Sequence, residues 1–554
     1  MIMKRLLALS LVIQVWSCKK DNPPAETRPP EIAFTMETGE YKVKAGKTIV
    51  LEAKVTGAIN PVYSWKLDGK IISTALACSF SKDEPGEHFL TFRVDAENGS
   101  AEKQAKVSVL AKLPPEITTP TNIIAWAGLD TRLVATALHA DSAQYTWLLN
   151  GTVVGEDSVY IFNQGAIGKS QITLKVITED GEDLEQINVS VLPKPGSTLY
   201  FDNGRYRVES NMDELRKMTV PLGKTLVLSP VVANIEAPGP FEWTVDGAVQ
   251  GSATAYYSFT PAARGVYSIV VKEVSTGATA VVQIECAAAE GAYFRPISAG
   301  NKASAANGFD FVPAPGQFID YQIGSTREKA LQDLQNALDM NTAPYIGAYG
   351  GYFIVGFDHS VKNEPGKADL KIDGNTFAGW SEPGIVWVMQ DENGNGLPDD
   401  TWYELAGSEA GKPETKQRYA ITYYKPGTPQ SGVAWTDNLG RTGSVDYNSF
   451  HPQAYYFPMF IAEDHYTLTG SCLASTVEVG AMETSAGFPW GYVDNYGDGS
   501  KLDFWIEDAI QADGTPASLQ YIDFVKVHTG MVGKGSTVGE ISTEAGPPID
   551  LHFK

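Results

Sequence analysis

The stretch YSWKLDGKII, Tyr63–Ile72, alternates polar and apolar residues and then reaches an Asp-Gly pair. Such alternation belongs to a strand with one buried face, and Asp-Gly supplies the positive φ of a tight hairpin. Two further stretches read the same way, YTWLLNGTVV from Tyr145 and FEWTVDGAVQ from Phe241. Each has the form aromatic-x-Trp-x-x-Asp/Asn-Gly, with Trp65, Trp147 and Trp243 spaced by 82 and 96 residues. Each is followed by a Gly and another alternating strand: GEHFLTFRV, GKSQITLKV and GVYSIVVKEV. Repeats of this length are whole domains in tandem, like beads on a string, and not a solenoid. The shared half-buried strand context makes the three tryptophans core residues.

Proline pairs punctuate the repeats. RPPEI at Arg28, LPPEI at Leu113 and LPKPG at Leu192 each open a module with an extended, semi-rigid joint. Three modules are therefore expected, at residues 31–112, 113–194 and 195–289, each an Ig-like β-sandwich. From residue 290 to 554 the character changes. Trp380, Trp387, Trp402, Trp435, Trp490 and Trp505 lie here, among many short alternating runs divided by Gly, Asn, Asp and Pro. These imply a larger β-sandwich of jelly-roll type. One amphipathic helix is expected in STREKALQDLQNALDM, with Ser325 and Glu328 as a capping box and Leu331, Leu334 and Leu338 as its apolar stripe. The fold class is thus mainly β.

At 554 residues the chain exceeds what one core can hold, and 43% apolar content marks folded domains. A net charge of −23 repels a phosphate backbone, which excludes nucleic acid as a partner. Lys4 and Arg5, the apolar run to Val15 and Ser17-Cys18 have the shape of a secretory signal over residues 1–17. The VWSC ending resembles a bacterial lipobox, which implies lipidation at Cys18. The polar, Pro-rich residues 18–30 then form a flexible linker. Cys78, Cys286 and Cys472 fall in three different modules and read as buried free thiols.

Several phrases occur together: PAPGQFID, GGYFIVGFDHSVKNEPG, EPGIVWVMQDENGNGLPDDTWYELAGSE, DYNSFHPQAYYFP, FPWGYVDNYGDG and YIDFVKVHTG. With the preceding modules they resemble Bacteroidetes surface lipoproteins that carry PKD-like modules and the C-terminal domain of the cobalamin-binding lipoproteins of vitamin B12 acquisition loci. The resemblance implies an outer-membrane, lipid-anchored protein exposed at the cell surface. It also implies capture of cobalamin as a transported ligand, beside a TonB-dependent transporter. A carbohydrate-binding or adhesive surface lipoprotein is the alternative.

A corrin ring edged with amide arms calls for aromatic surface among amide, carboxylate and backbone groups. Three loop-like stretches offer that mix: Trp435, Asp437 and Asn438; Tyr447, Asn448, Tyr455 and Tyr456; and Trp490, Tyr492 and Asn495. For metal, DENGNGLPD places Asp391, Asn393, Asn395, the Leu397 carbonyl and Asp399 at the alternating positions of a calcium loop, with Gly396 at the turn. Its twelfth position is Trp402 and not Glu, so a hairpin turn capped by Asn and Asp is an equal reading. No nucleophile elbow, His-Glu zinc motif or phosphate loop is present, and Asp358-His359 is not a D-x-H-x-x-G cobalt-ligand signature. The chain reads as a binder and not as an enzyme.

Overall fold

The computed structural model describes residues 29–34, 39–319, 326–376, 379–448, 451–479, 483–496, 502–535 and 539–554. It is nearly all β, and its contacts divide it into two compact units, residues 1–109 and 110–554.

In the first unit a five-stranded sheet runs Glu40–Lys44, Gly99–Leu110, Gly86–Ala96, Val62–Leu67, Lys70–Ser73. A three-stranded sheet of Glu31–Phe34, Thr48–Thr56 and Ala77–Ser81 faces the same core. Trp65 is fully buried between them, 5.0 Å from the Phe92 ring and 5.5 Å from that of Phe34. Its indole N–H donates to the Leu76 carbonyl at 3.0 Å, so burial of the ring leaves no polar atom unpaired. Asp68 and Gly69 make the expected turn at φ 50° and 76°.

The second and third modules repeat this plan. Trp147 and Trp243 are also fully buried, and their indoles donate to the carbonyls of Asp157 and Thr254. Each five-stranded sheet gains a parallel edge, Asn122–Trp126 along Gly181–Leu192 and Lys217–Val220 along Thr279–Cys286.

The C-terminal region stacks two antiparallel sheets. The larger runs Asn307–Val312, Tyr352–Lys362, Tyr521–Thr529, Gly384–Met389, Trp402–Leu405, Ala509–Ile510. The smaller runs Thr442–Val445, Val433–Asp437, Lys416–Tyr424, His465–Cys472. Between them lies a core rich in tyrosine: Tyr349, Tyr352, Tyr419, Tyr423 and Tyr466. Each hydroxyl has a partner, as in Tyr423 to the Tyr349 carbonyl at 2.8 Å and Tyr466 to that of Pro313 at 2.9 Å. The helix Arg327–Met340 covers the outer face of the larger sheet, where a Cβ on Gly308 would meet Leu334 at 2.9 Å. Its cap is Thr326, whose side chain accepts from the Lys329 N–H, and its buried line is Ala330, Leu334 and Ala337. Of the expected stripe, Leu334 is buried and Leu338 packs partly buried against the same core, with Ala330 and Ala337 beside them and Leu331 half-exposed. Ser325 is outside the described residues.

The beads-on-a-string arrangement does not hold within the second unit. Asn122 and Trp126 of the second module donate to the carbonyls of Gly432 and Gly440 in the smaller sheet's hairpin, at 2.9 and 3.0 Å. The third module shares a continuous apolar core with the larger sheet. Two modules are thus built into the same body as the C-terminal sandwich. All three remaining cysteines are buried free thiols.

Candidate functional site

At one end of the sandwich, segments distant in sequence meet around Gln317. Its main-chain N–H donates to Oε1 of Glu540 at 2.7 Å, and its side-chain oxygen accepts from the Asn448 amide at 2.9 Å. Beside it the Phe318 ring lies 5.1 Å from that of Tyr345 and 4.5 Å from that of His451. Tyr345 pairs with Glu544 in an isolated antiparallel bridge, so this aromatic group shares the 540–545 segment with Glu540. Two nearby polar groups are buried without a hydrogen-bond partner. Among the described residues both amide atoms of Gln453, only 6% exposed, are unpaired, and so is Oε2 of Glu540. Unpaired buried amides are costly, so these atoms stand ready for a polar partner, a water included. Burial pushes the Glu540 carboxyl up to about 7.

The same segment carries a second acidic group. Glu382, Asp494 and Glu544 bring carboxylate oxygens within 4.8 Å of one another. Burial, followed by the neighbouring Asp494 charge, raises Glu382 to about 8, and burial raises Asp494 to about 6 and Glu544 well above the carboxylate range. Asp494 is held at φ 55° by main-chain N–H groups of Asn375, Thr376 and Glu544 at 2.8–2.9 Å. A Cβ on Gly374 would lie 2.6 Å from the Asp494 Cα, so that approach requires glycine.

The three stretches singled out in the sequence go to separate places. Tyr447, Asn448, Tyr455 and Tyr456 lie near Gln317, but the buried Tyr456 hydroxyl is occupied by the backbone of Asn448 and His451. Trp435 and Asp437 sit on the strand Val433–Asp437, not in a loop. The buried Asp437 pairs with Arg441 at 2.5 Å, and the Asn438 amide donates to the Val232 carbonyl of the third module at 3.0 Å. Tyr492 and Asn495 are buried, the latter bonded twice to the Phe488 backbone at 2.7 Å, whereas Trp490 is 45% exposed. Phe318, Tyr345, His451, Gln317, Gln453 and Glu540 were missed. Gln317 and Phe318 lie in PAPGQFID and His451 and Gln453 in DYNSFHPQAYYFP, but nothing local in sequence distinguishes a buried amide without a partner.

In the 391–400 loop Asp391 accepts N–H groups from Gly394, Asn395 and Gly396 at 2.8–3.1 Å. The side-chain amides of Asn393 and Asn395 donate to Asp399, and the Leu397 carbonyl accepts from the Asp399 N–H at 2.9 Å. The loop is therefore braced as an Asx-type turn by its own donors. Glu404 points away from it and accepts from Ser471. His359 is fully buried between Asp358 and Asp550, at 2.9 Å from each, and anchors the C-terminal segment. An open groove of about 470 Å³ lies between the third module and the sandwich, lined by the Lys224–Glu290 ion pair, Thr225, Gln511 and Ser518. Cys18 is outside the described residues.

A model of the PKD-like domain matches residues 29–96. Among solved structures, fibronectin(III)-like modules of Clostridium thermocellum CbhA are 16% identical, over 29% of this chain and 95% of theirs, with a TM-score of 0.17. An I-band fragment from titin is 13% identical, over 47% of this chain and 98% of its own, with a TM-score of 0.14. The chain belongs to the broad class of mainly-β proteins built from Ig-like sandwiches. Within that class its first module is similar to the PKD-like domain over residues 29–96.

Proposed function

We propose that this chain is a lipid-anchored, surface-exposed binding protein of the outer membrane. It captures a small nutrient, cobalamin, at the Gln317 end of its C-terminal sandwich and hands it to a TonB-dependent transporter. Lipidation at Cys18 and surface display are part of the reading, as is the absence of catalysis. The observation that supports it is the buried, unpartnered Gln453 amide near the Phe318, Tyr345 and His451 rings. An amide-edged macrocycle presents both a flat apolar face and hydrogen-bonding arms to such a surface. Calorimetric titration of the mature chain with cyanocobalamin tests the proposal. Saturable heat with a shift in the visible spectrum is expected, reduced at least tenfold in affinity by Phe318→Ala. No heat and no spectral change at micromolar protein would sink it.

The exposed Trp490 favours a second reading, a carbohydrate-binding or adhesive protein, since an exposed indole is a ready platform for a sugar face. Glycan-array binding that disappears in Trp490→Ala, with no response to cyanocobalamin, would establish that reading instead.

A further inference from the structure

We infer that Glu382, Asp494 and Glu544 form a calcium-binding site. The three carboxylates come from three separate segments and gather oxygens within 4.8 Å of one another. That span fits inside a calcium shell, in which opposed oxygens at about 2.3–2.6 Å from the ion are roughly 5 Å apart. Among the described residues none of the three forms an ion pair with a basic side chain, so their gathered charge is met by neutral donors such as the Ser542 N–H and not by a cationic side chain. A second observation points to a ligand. Oε2 of Glu544, on a residue only 5% exposed, has no hydrogen-bond partner among the described residues. An orphaned carboxylate oxygen facing two other carboxylates is costly unless a cation or proton occupies the gap.

The site is also built to stay in place. Three main-chain N–H groups fix Asp494, and the Ser542 N–H donates to Oε1 of Glu382 at 3.0 Å. An all-oxygen set without His or Cys selects a hard cation over zinc or copper. Water completes the coordination, and the partial exposure of Glu382 gives the ion an entry path. The bound ion would tie the 374–376, 382 and 494 segments to the 540–545 segment.

The test uses the full mature chain stripped with chelator at pH 7.5. Calcium should raise the melting temperature by about 2 °C or more. Terbium should show emission excited through Trp380, whose buried indole hydrogen-bonds Glu382. Glu544→Gln should abolish both effects and Asp391→Asn should retain both. If Glu544→Gln does not fold, Glu382→Gln, which is partly exposed, replaces it. Absence of both signals in the unsubstituted chain overturns the inference. So does their loss in Asp391→Asn with retention in Glu544→Gln, which would move the ion to the 391–400 loop.

Discussion

Glu540 accepts the Gln317 main-chain N–H at 2.7 Å across 223 residues of chain, and its other oxygen is buried without a partner among the described residues. A carboxyl so placed is easier to keep protonated than charged. The same holds for Glu404 and Asp400, which burial pushes to about 7, and for Glu382 at about 8 and Asp494 at about 6. These groups bind protons in the folded chain that the unfolded chain has released, so they stabilise the fold fully below about pH 4. That stability is lost as pH rises through about 6 to 8. Buried His528, pushed well below its usual range, acts in the opposite sense below about pH 6.5, but it is one group against five. The melting temperature of the second unit, followed by calorimetry with chelator present, should fall between pH 5 and pH 8. Glu404→Gln should flatten the slope.

Trp65 belongs to the core of the first unit, where its ring fills the sandwich and its N–H pairs with Leu76. Trp65→Phe removes one of the two donors to that carbonyl, which keeps the Ala53 N–H, and opens a void, at a cost of about 2–3 kcal/mol. Because residues 1–109 form their own compact unit, the loss should appear in one unfolding transition only. In urea melts a second transition should keep its midpoint.

Lys526 is buried where the third module meets the larger sheet. Its ammonium donates to the Gly204 carbonyl at 2.5 Å and lies 4.6 Å from the Tyr352 ring centre. Burial lowers it to about 8, and the charge of half-buried Asp202 works against that shift. Lys526→Ala removes a positive charge near Asp202 and the donor to the Gly204 carbonyl, and should lower stability by about 1–3 kcal/mol. The double change Lys526→Ala with Asp202→Asn should recover part of that loss in chemical denaturation.

Trp490 is exposed and carries no structural load. Trp490→Ala should change stability by less than about 0.5 kcal/mol, measured by urea midpoint. Asp391→Ala should cost about 2 kcal/mol, because the Gly394 and Gly396 N–H groups lose their acceptor together, while the Asn395 N–H keeps Asn393.

Within the sequence itself, period-2 alternation around Trp65, Trp147 and Trp243 and the Asp/Asn-Gly turns determined the β class, the sandwich modules and the burial of the three indoles. Those signals are local, since a strand's face and a turn's φ are set by residues two to four apart. Helix content was legible for the same reason, as was the apolar face through Leu334 and Leu338. Only the tertiary structure decided that the second and third modules are built into the C-terminal body, and that Asn438 bonds the third module. It alone brought Gln317 to Glu540 and Asn448, and Glu382 to Asp494 and Glu544. Those contacts span from about a hundred to more than two hundred residues, and whether a carboxylate or amide ends with a partner is fixed by which distant segment packs against it.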